Sequence, residues 1–101
     1  MGKANLSRQL RQQIDRIWLE TAKRSGIRAA DKTIIRIAEV VALLGDQPEI
    51  GVSGTRRGRE VRRFLAGDYW IYYEGGAGGA RIRKLKHYKQ DQSKDWDATT
   101  G

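Results

Sequence analysis

The chain has 101 residues and carries 20 Lys and Arg against 12 Asp and Glu, so its formal net charge is +8 at pH 7. It has no cysteine, which excludes disulfides, thiolate nucleophiles and zinc–thiolate sites. No apolar run approaches the roughly 18 residues that span a bilayer, and Met1–Ser7 lacks the apolar stretch of a signal peptide, so we expect a soluble, cytoplasmic protein without metal, cofactor or membrane contact.

A first amphipathic helix is predicted from Arg8 to Arg24. Ser7 is placed to cap its N-terminus, and Ser25-Gly26 is a natural stop because glycine tolerates a positive φ. Helical spacing gives it an apolar stripe that consists of Leu6, Leu10, Ile14, Ile17, Trp18 and Thr21.

A second helix is predicted from Ile27 or Arg28 to Leu44, where Gly45 ends it. The link to the first helix is so short that the two are expected to pack as an antiparallel hairpin. Trp18 and Ile37 are predicted to be core residues of this hairpin. The apolar stripe of the second helix is Ile34, Ile37, Ala38, Val41 and Leu44.

Three neighbouring antiparallel strands are predicted at Glu60–Phe64, Asp68–Glu74 and Ala80–Tyr88, where β-branched and aromatic residues are frequent. The glycine-rich segment Gly75–Gly79 predicts a hairpin turn. A phosphate-binding loop is not expected there, because such a loop leads into a helix and a basic strand follows here.

The remaining segments carry weaker signals. Pro48–Gly58 predicts an irregular crossing from the helices to the sheet, and Met1–Leu6 a short edge strand. The polar tail, residues 92–101, is expected to fray, with Trp96 as its one candidate anchor. The fold class is therefore α+β, a helix hairpin packed on a small antiparallel sheet, in a single domain that covers residues 1–91.

The two faces of the predicted sheet both carry apolar side chains. Alternation puts Tyr69, Ile71 and Tyr73 on one face and Trp70 and Tyr72 on the other. One face is the core, and the other predicts an interaction surface. Ile82 and Leu85 have opposite parity, so the last strand is either buried on both sides or contains a bulge.

The positive charge is clustered, which favours a binding face for an acidic partner such as nucleic acid, a nucleic-acid enzyme or an acidic peptide. Arg62 and Arg63 alternate sides of their strand. A role for such an arginine in fixing the strand end and a role in target contact both remain open. The two clusters are Arg56, Arg57, Arg59, Arg62 and Arg63, and Arg81, Arg83, Lys84, Lys86 and Lys89.

Five motifs follow one another in an order that resembles the ParE branch of the RelE/ParE toxins of type II toxin–antitoxin systems. They are L-S-x-x-L with I-x-x-I-W, the second helix, Q-P-E-I-G, R-x-F-x-x-G-D-Y-x-I-Y-Y, and I-R-K-L-K-H-Y-K-Q-D, and they cover Leu6 to Asp91. The resemblance implies a helix hairpin on a twisted antiparallel sheet, a cognate antitoxin that forms a hetero-oligomer with the chain, and growth arrest through DNA gyrase.

The RelE branch, whose members are ribosome-dependent mRNA endoribonucleases, is the first alternative. Its chemistry relies on cations around the scissile phosphate and on a tyrosine near the C-terminus. This chain has Trp70 and Tyr88 where that branch tends to carry arginine, and no tyrosine follows Tyr88. A non-toxic basic nucleic-acid-binding module is the second alternative.

The chain matches the ParE pattern at Arg62, Gly67, Tyr69, His87 and Asp91. It departs from the pattern at Lys89-Gln90, where the branch commonly has two arginines. His87 is the one side chain whose unperturbed pKa lies near neutrality, and a structural or contact role is favoured for it over catalysis. No catalytic residue is predicted. Residues predicted to bind the target or the antitoxin are Arg62, Arg63, Tyr69, Trp70, Tyr72, Arg81, Arg83, His87 and Lys89.

The predicted antitoxin contact is an acidic, partly disordered segment that lies across the sheet and the helix hairpin. It is expected to cover exposed aromatic side chains and to neutralise Arg62, Arg63, Arg81 and Arg83.

Overall fold

The structure, a computed structural model, describes residues 3–76, 78–90 and 97–98. The elements are β1 (Lys3–Asn5), α1 (Arg8–Ser25), α2 (Ile27–Asp46), a 3-10 turn (Pro48–Ile50), β2 (Val52–Arg56), β3 (Arg59–Ala66), β4 (Tyr69–Gly76), β5 (Gly79–His87) and β6 (Asp97–Ala98). The strands form one six-stranded sheet in the order β1-β5-β4-β3-β2-β6, in which β1 is parallel to β5 and every other neighbouring pair is antiparallel. The predicted α+β class, with a helix hairpin on a small sheet, is confirmed.

The helix hairpin forms where the periodicity predicts it. The Ser7 hydroxyl accepts a hydrogen bond from the Leu10 amide at 3.1 Å, which caps α1 as expected. Gly26 alone separates the helices, and its φ of 95° reverses the chain. Its amide donates to the Ala22 carbonyl at 2.9 Å, which closes the end of α1. Both helices run slightly further than predicted, by one residue in α1 and two in α2.

Both helices pack on one face of the sheet, and the main core lies between the helices and that face. Ile37 is 1% exposed, as predicted. Trp18 is not a core residue, because its indole lies at the edge of the hairpin and donates from Nε1 to Asp31 Oδ1 at 2.9 Å. The predicted stripe of α2 includes Ala38, which is exposed in the structure. Val40, which the stripe leaves out, is buried in the core. The buried core members are Leu10, Ile17, Ile37, Val40, Val41, Leu44, Ala66, Tyr69, Ile71, Tyr73, Ala80, Ile82 and Leu85.

A β-bulge in β5 resolves the parity problem of the last strand. Tyr72 pairs with Lys84 and Tyr73 with Ile82, so Arg83 is the extra residue. The bulge returns both Ile82 and Leu85 to the core face, where they are 4% and 2% exposed. The three predicted strands are confirmed, with slightly different ends.

The structure corrects the prediction for Pro48–Gly58, since this segment contains the 3-10 turn and β2. β2 and β3 join through a two-residue turn, in which Arg57 and Gly58 have φ values of 53° and 78°. Positive φ at both positions matches the twist of antiparallel strands. The strand was missed because Ser53 and Gly54 lower its β-propensity, whereas pairing with β3 stabilises it.

The chain ends of the described part lie at the sheet edges. β1 confirms the predicted edge strand at Met1–Leu6 and pairs with Gly79–Arg81. In the tail predicted to fray, β6 pairs with Gly54 and Thr55 of β2, and Trp96 lies outside the described residues. Within the described ranges, neither helix has the combination of length and apolarity that a membrane crossing requires.

Candidate functional site

Arg62 and Tyr73 hold the segment that connects the helices to the sheet. Arg62 Nη1 donates to the carbonyl oxygens of Glu49 and Gly51 at 3.0 and 2.9 Å, and its Nε lies 3.6 Å from Glu60 Oε1. The Tyr73 hydroxyl donates to the Pro48 carbonyl at 2.7 Å and accepts from the Gly51 amide at 2.8 Å. Of the two roles left open for Arg62, these contacts favour the structural one.

Burial is the main cause that raises the pKa of the Tyr73 phenol above its ordinary value. The hydrogen bond from Gly51 and the positive charge of Arg62 act in the opposite direction, and the charge of Glu49 adds to the rise. The phenol is therefore neutral at physiological pH and can donate to Pro48.

The face of the sheet that lies opposite the helices is cationic, and we call it the basic face. Register places Arg63 opposite Tyr72, and Leu65 opposite Trp70. The Arg63 guanidinium lies 4.1 Å from the centre of the Trp70 ring, and its Nη1 lies 3.4 Å from the Tyr72 hydroxyl, to which it donates. Tyr72 lies on this face as alternation predicts, but it is 3% exposed and packs with Val61 and Trp70, so it is not one of the exposed aromatic side chains expected there.

Cations from two strands contact one carboxylate on the basic face. Arg59 Nη2 lies 3.0 Å from Glu74 Oε1, and Arg83 Nε lies 3.3 Å from Glu74 Oε2. Lys84 Nζ lies 5.0 Å from the Tyr72 ring centre, so the bulge sets two consecutive cations on the same face. Arg81 pairs in register with Glu74 and is exposed. A pocket of about 200 Å³ lies at this end of the face. Its lining includes the carboxylate of Glu74 and the cations Arg56, Arg57, Arg59, Arg83 and Lys84.

A second concavity, the end groove, lies between α1 and the second half of β5 and has a volume of about 600 Å³. β1 covers only Gly79–Arg81, so the rest of this β5 edge is left to α1. Gln13 supplies the missing pairing: its Nε2 donates to the Leu85 carbonyl at 2.6 Å and its Oε1 accepts from the Leu85 amide at 3.2 Å. The lining of the end groove includes Arg16, Glu20, Arg24, Tyr69, His87 and Lys89.

His87 lies in this groove, enclosed by two tyrosines. Its ring meets Tyr69 edge-on at 5.2 Å and stacks on Tyr88 at 4.9 Å. Its Nδ1 accepts from the Lys89 amide at 3.1 Å, so the proton of the neutral ring is on Nε2. The Tyr88 amide donates to the Asp68 carbonyl at 2.8 Å, which ties this end of β5 to the β3–β4 turn. The histidine is thus oriented by its own neighbours.

The nine predicted binding residues fall into three groups. Arg62 is part of the connection to the helices, and Tyr69, His87 and Lys89 line the end groove. The others belong to the basic face: Arg63, Trp70, Tyr72, Arg81 and Arg83.

Sequence reasoning missed the contribution of α1 to the end groove. Gln13, Arg16 and Arg24 lie outside the predicted apolar stripe of the first helix and were given no role, although the spacing of Arg16, Glu20 and Arg24 at i, i+4 and i+8 puts these three on one side. In the described part of the chain, no group of three or more His, Cys, Asp or Glu could hold a metal ion.

A family model for the ParE toxin of type II toxin–antitoxin systems, parDE, matches residues 4–92 of the chain. A search of curated proteins gave no match. The matched range includes both surfaces described above and excludes most of the polar tail.

Proposed function

Because the chain belongs to the ParE toxin family of type II toxin–antitoxin systems, we propose that it arrests growth in the cytoplasm by binding DNA gyrase and not by catalysing a reaction. Family membership implies an antitoxin partner. The target and the mode of neutralisation are the proposed part.

The observation that supports a binding mechanism is that the cationic and histidine side chains that a ribonuclease would need already contact other groups of the chain. Arg62 donates to two backbone carbonyls, and Arg63 lies over Trp70. His87 Nδ1 already accepts from the Lys89 amide. Proton-transfer catalysis needs a base within reach of the proton it removes and a cationic cluster aimed at the phosphate. Side chains held in this way support recognition better than chemistry.

The basic face supplies the target contact. Its apolar end presents Val52 and Leu65, which are 53% and 42% exposed, beside the Arg63–Trp70 pair. Arginine and tryptophan surrounded by apolar groups are frequent at the energetically important centres of protein interfaces. This combination supports binding to a protein such as gyrase.

The antitoxin binds in the end groove. An acidic, extended segment can replace Gln13 at the Leu85 amide and carbonyl and so add a strand to the open edge of β5. Arg16, Arg24 and Lys89 line the groove with Glu20 as a nearby carboxylate, which gives the positive potential that such a segment needs. Arg62 is not part of this contact, because it is engaged by the chain itself.

The second candidate function is ribosome-dependent mRNA cleavage. The end groove holds His87 beside Arg16, Arg24 and Lys89, a composition that could stabilise a cleaved phosphate. The two functions predict different primary effects, namely loss of supercoiling for gyrase inhibition and loss of translation for mRNA cleavage.

A gyrase supercoiling assay with the purified chain distinguishes them. Supercoiling of relaxed plasmid should fall with increasing toxin, and addition of the antitoxin should restore it. In parallel, a ribosome-dependent mRNA cleavage assay should give no product. Full supercoiling activity at saturating toxin, together with mRNA cleavage, would overturn the gyrase proposal in favour of the ribonuclease.

A further inference from the structure

The basic face has an arginine end at which the described lining residues carry more positive than negative charge. The lining of the pocket there includes five cations and one carboxylate, Glu74, beside Val61 and Tyr72. Glu74 orients Arg59 and Arg83 through contacts of 3.0 and 3.3 Å, although the Arg59 side chain is still 72% exposed. Two guanidinium groups are thereby held in place with N–H donors left toward solvent.

The cations project from paired strands, which fixes their spacing. Arg56 and Arg59 are opposite each other across the β2–β3 pair, and the β5 bulge brings Arg83 beside Lys84. Neighbouring strands lie about 4.8 Å apart, so the backbone positions that carry these cations have a fixed spacing. Cations on rigid elements suit the regular phosphates of a duplex, since little conformational entropy is lost when they bind.

Arg57 adds an observation of a different kind. It occupies the β2–β3 turn at a φ of 53°, a conformation that Asn or Gly adopts with less strain. A strained arginine at the tip of a hairpin, on the rim of a cationic pocket, is explained by a ligand that uses its charge.

We propose that the arginine end of the basic face binds the phosphate backbone of duplex DNA, so that the toxin contacts the DNA as well as the gyrase that acts on it. This inference rests on the proposed function for its biological setting. The contact itself needs no gyrase, and it can be measured with DNA alone.

The covered aromatics decide between duplex and single-stranded nucleic acid. Single-stranded binding sites use exposed aromatic rings on which bases stack. Here Tyr72 is 3% exposed, and the Arg63 guanidinium occupies a position over the partly buried Trp70 ring that a stacked base would take. Contact through phosphates alone is independent of sequence.

An acidic peptide fits this end of the face less well. The pocket lining comes from β2, β3, β4 and β5, so the pocket lies across the surface of the sheet and not along one strand edge, where a peptide backbone would add as a further strand. The exposed apolar side chains Val52 and Leu65 belong to the other end of the face, beside Arg63 and Trp70.

The test is fluorescence anisotropy of a labelled duplex of about 20 base pairs, a length of about two helical turns, with the purified chain over a range of salt. The key variant is Arg57→Asn combined with Arg83→Gln. The first change removes a charge at a position where Asn suits the turn, so folding is expected to persist. The matched control is Arg28→Gln with Arg36→Gln, two exposed α2 arginines on the opposite side of the sheet.

Wild-type binding should weaken with salt, and the key variant should bind about tenfold or more weakly at low salt, with the slope of log K against log salt reduced by about 2. The control pair should differ from wild type by less than about threefold. Equal losses in both variants, no duplex binding by folded wild type, or stronger binding to single strands or to poly-glutamate would overturn the proposal. None of these outcomes affects the supercoiling assay, so gyrase inhibition stands or fails separately.

Discussion

One phenol connects the helix hairpin to the sheet. The fully buried Tyr73 hydroxyl bonds to both Pro48 and Gly51, and Arg62 donates to the same short segment. The cross-link explains why a segment with glycines and a proline has a defined path. A residue that alternation assigns only to the core thus also determines how the two layers are joined.

Replacing Gly51 with Ala should disturb this link. Gly51 has an ordinary φ of −72°, so the constraint is space: an added Cβ would collide with the Tyr73 hydroxyl and ring. We expect a loss of about 1–3 kcal/mol in the free energy of unfolding, as for other overpacked sites. Urea denaturation measures it, and Gly76→Ala, where no atom lies within 4 Å, is the control. Equal stabilities of the two variants would contradict this reading of the contact.

Replacing Tyr73 with Phe should cost about 1–3 kcal/mol at neutral pH, because a buried amide and a carbonyl lose their partner. The difference depends on pH. The folded pKa is raised above the unfolded 10.0, so above pH 10 the unfolded chain loses the proton first and the folded state binds more protons. Stability due to Tyr73 is therefore complete below pH 10 and declines as pH rises. Urea titrations of both proteins should show the gap narrowing only above pH 10; a constant gap would contradict it.

His87→Gln tests whether the histidine is catalytic. Glutamine keeps a hydrogen-bond acceptor for the Lys89 amide but cannot transfer protons as imidazole does. If the toxin acts by binding, growth inhibition should fall by less than tenfold, whereas loss of a general base commonly lowers a rate by about 10²–10⁴. Toxicity is measured by the inducer level that halves growth, with circular dichroism to check folding. Complete detoxification of the folded variant would support the ribonuclease.

At the scale of elements, periodicity predicts the helices, which local sequence determines, and misses a strand that is stabilised by pairing with its neighbour. Both helices follow from their stripes, with ends displaced by at most two residues. β2 does not, because Gly54 and Ser53 give it little propensity and the neighbouring strand supplies the stability. Trp18 has helical spacing with the core, yet its polar N–H places it at the edge, where Asp31 accepts the hydrogen bond.

The core face of α2 can be tested with two isoleucines. Ile37 is 1% exposed in the core, whereas Ile35 is 58% exposed on the same helix. Ile37→Ala should lower the free energy of unfolding by about 2–5 kcal/mol. Ile35→Ala should change it by less than about 0.5 kcal/mol, because substitutions at exposed positions usually have small effects. Both variants have the same change in helix propensity, so the difference between them reports burial. Urea denaturation of the two proteins measures the difference, and similar losses would mean that α2 is rotated relative to the sheet.

At the scale of the whole molecule, the sequence indicates the clustered charge but not how the fold divides it. Arg62 and Arg63 are adjacent, yet one is fixed to the connection and the other covers Trp70 on the opposite face. Strand alternation predicts that they separate, but not which partners they meet. The end groove depends on α1 lying along the open edge of β5, a long-range contact that neither segment encodes alone.

The antitoxin should associate with this chain by electrostatic steering and be retained by the groove. With a net charge of +8, long-range attraction accelerates encounter with an acidic segment. The association rate should therefore fall by about tenfold or more between about 0.01 and about 1 M salt, as the Debye length falls from about 30 to about 3 Å. The dissociation rate should change far less, because it depends on buried contacts.

Type II antitoxins are expected to be encoded next to their toxins, so the partner to test is the product of any small open reading frame that lies beside the gene. Stopped-flow or surface-plasmon measurements on the complex of the two proteins give both rates. Arg16→Gln, in the end groove, should slow association and speed dissociation, since it removes both a steering charge and a contact. Arg28→Gln removes the same charge outside the groove and should change dissociation little. Equal dissociation rates in the two variants would move the antitoxin away from the end groove. A neighbour that neither co-purifies with the chain nor relieves growth arrest would not be its antitoxin.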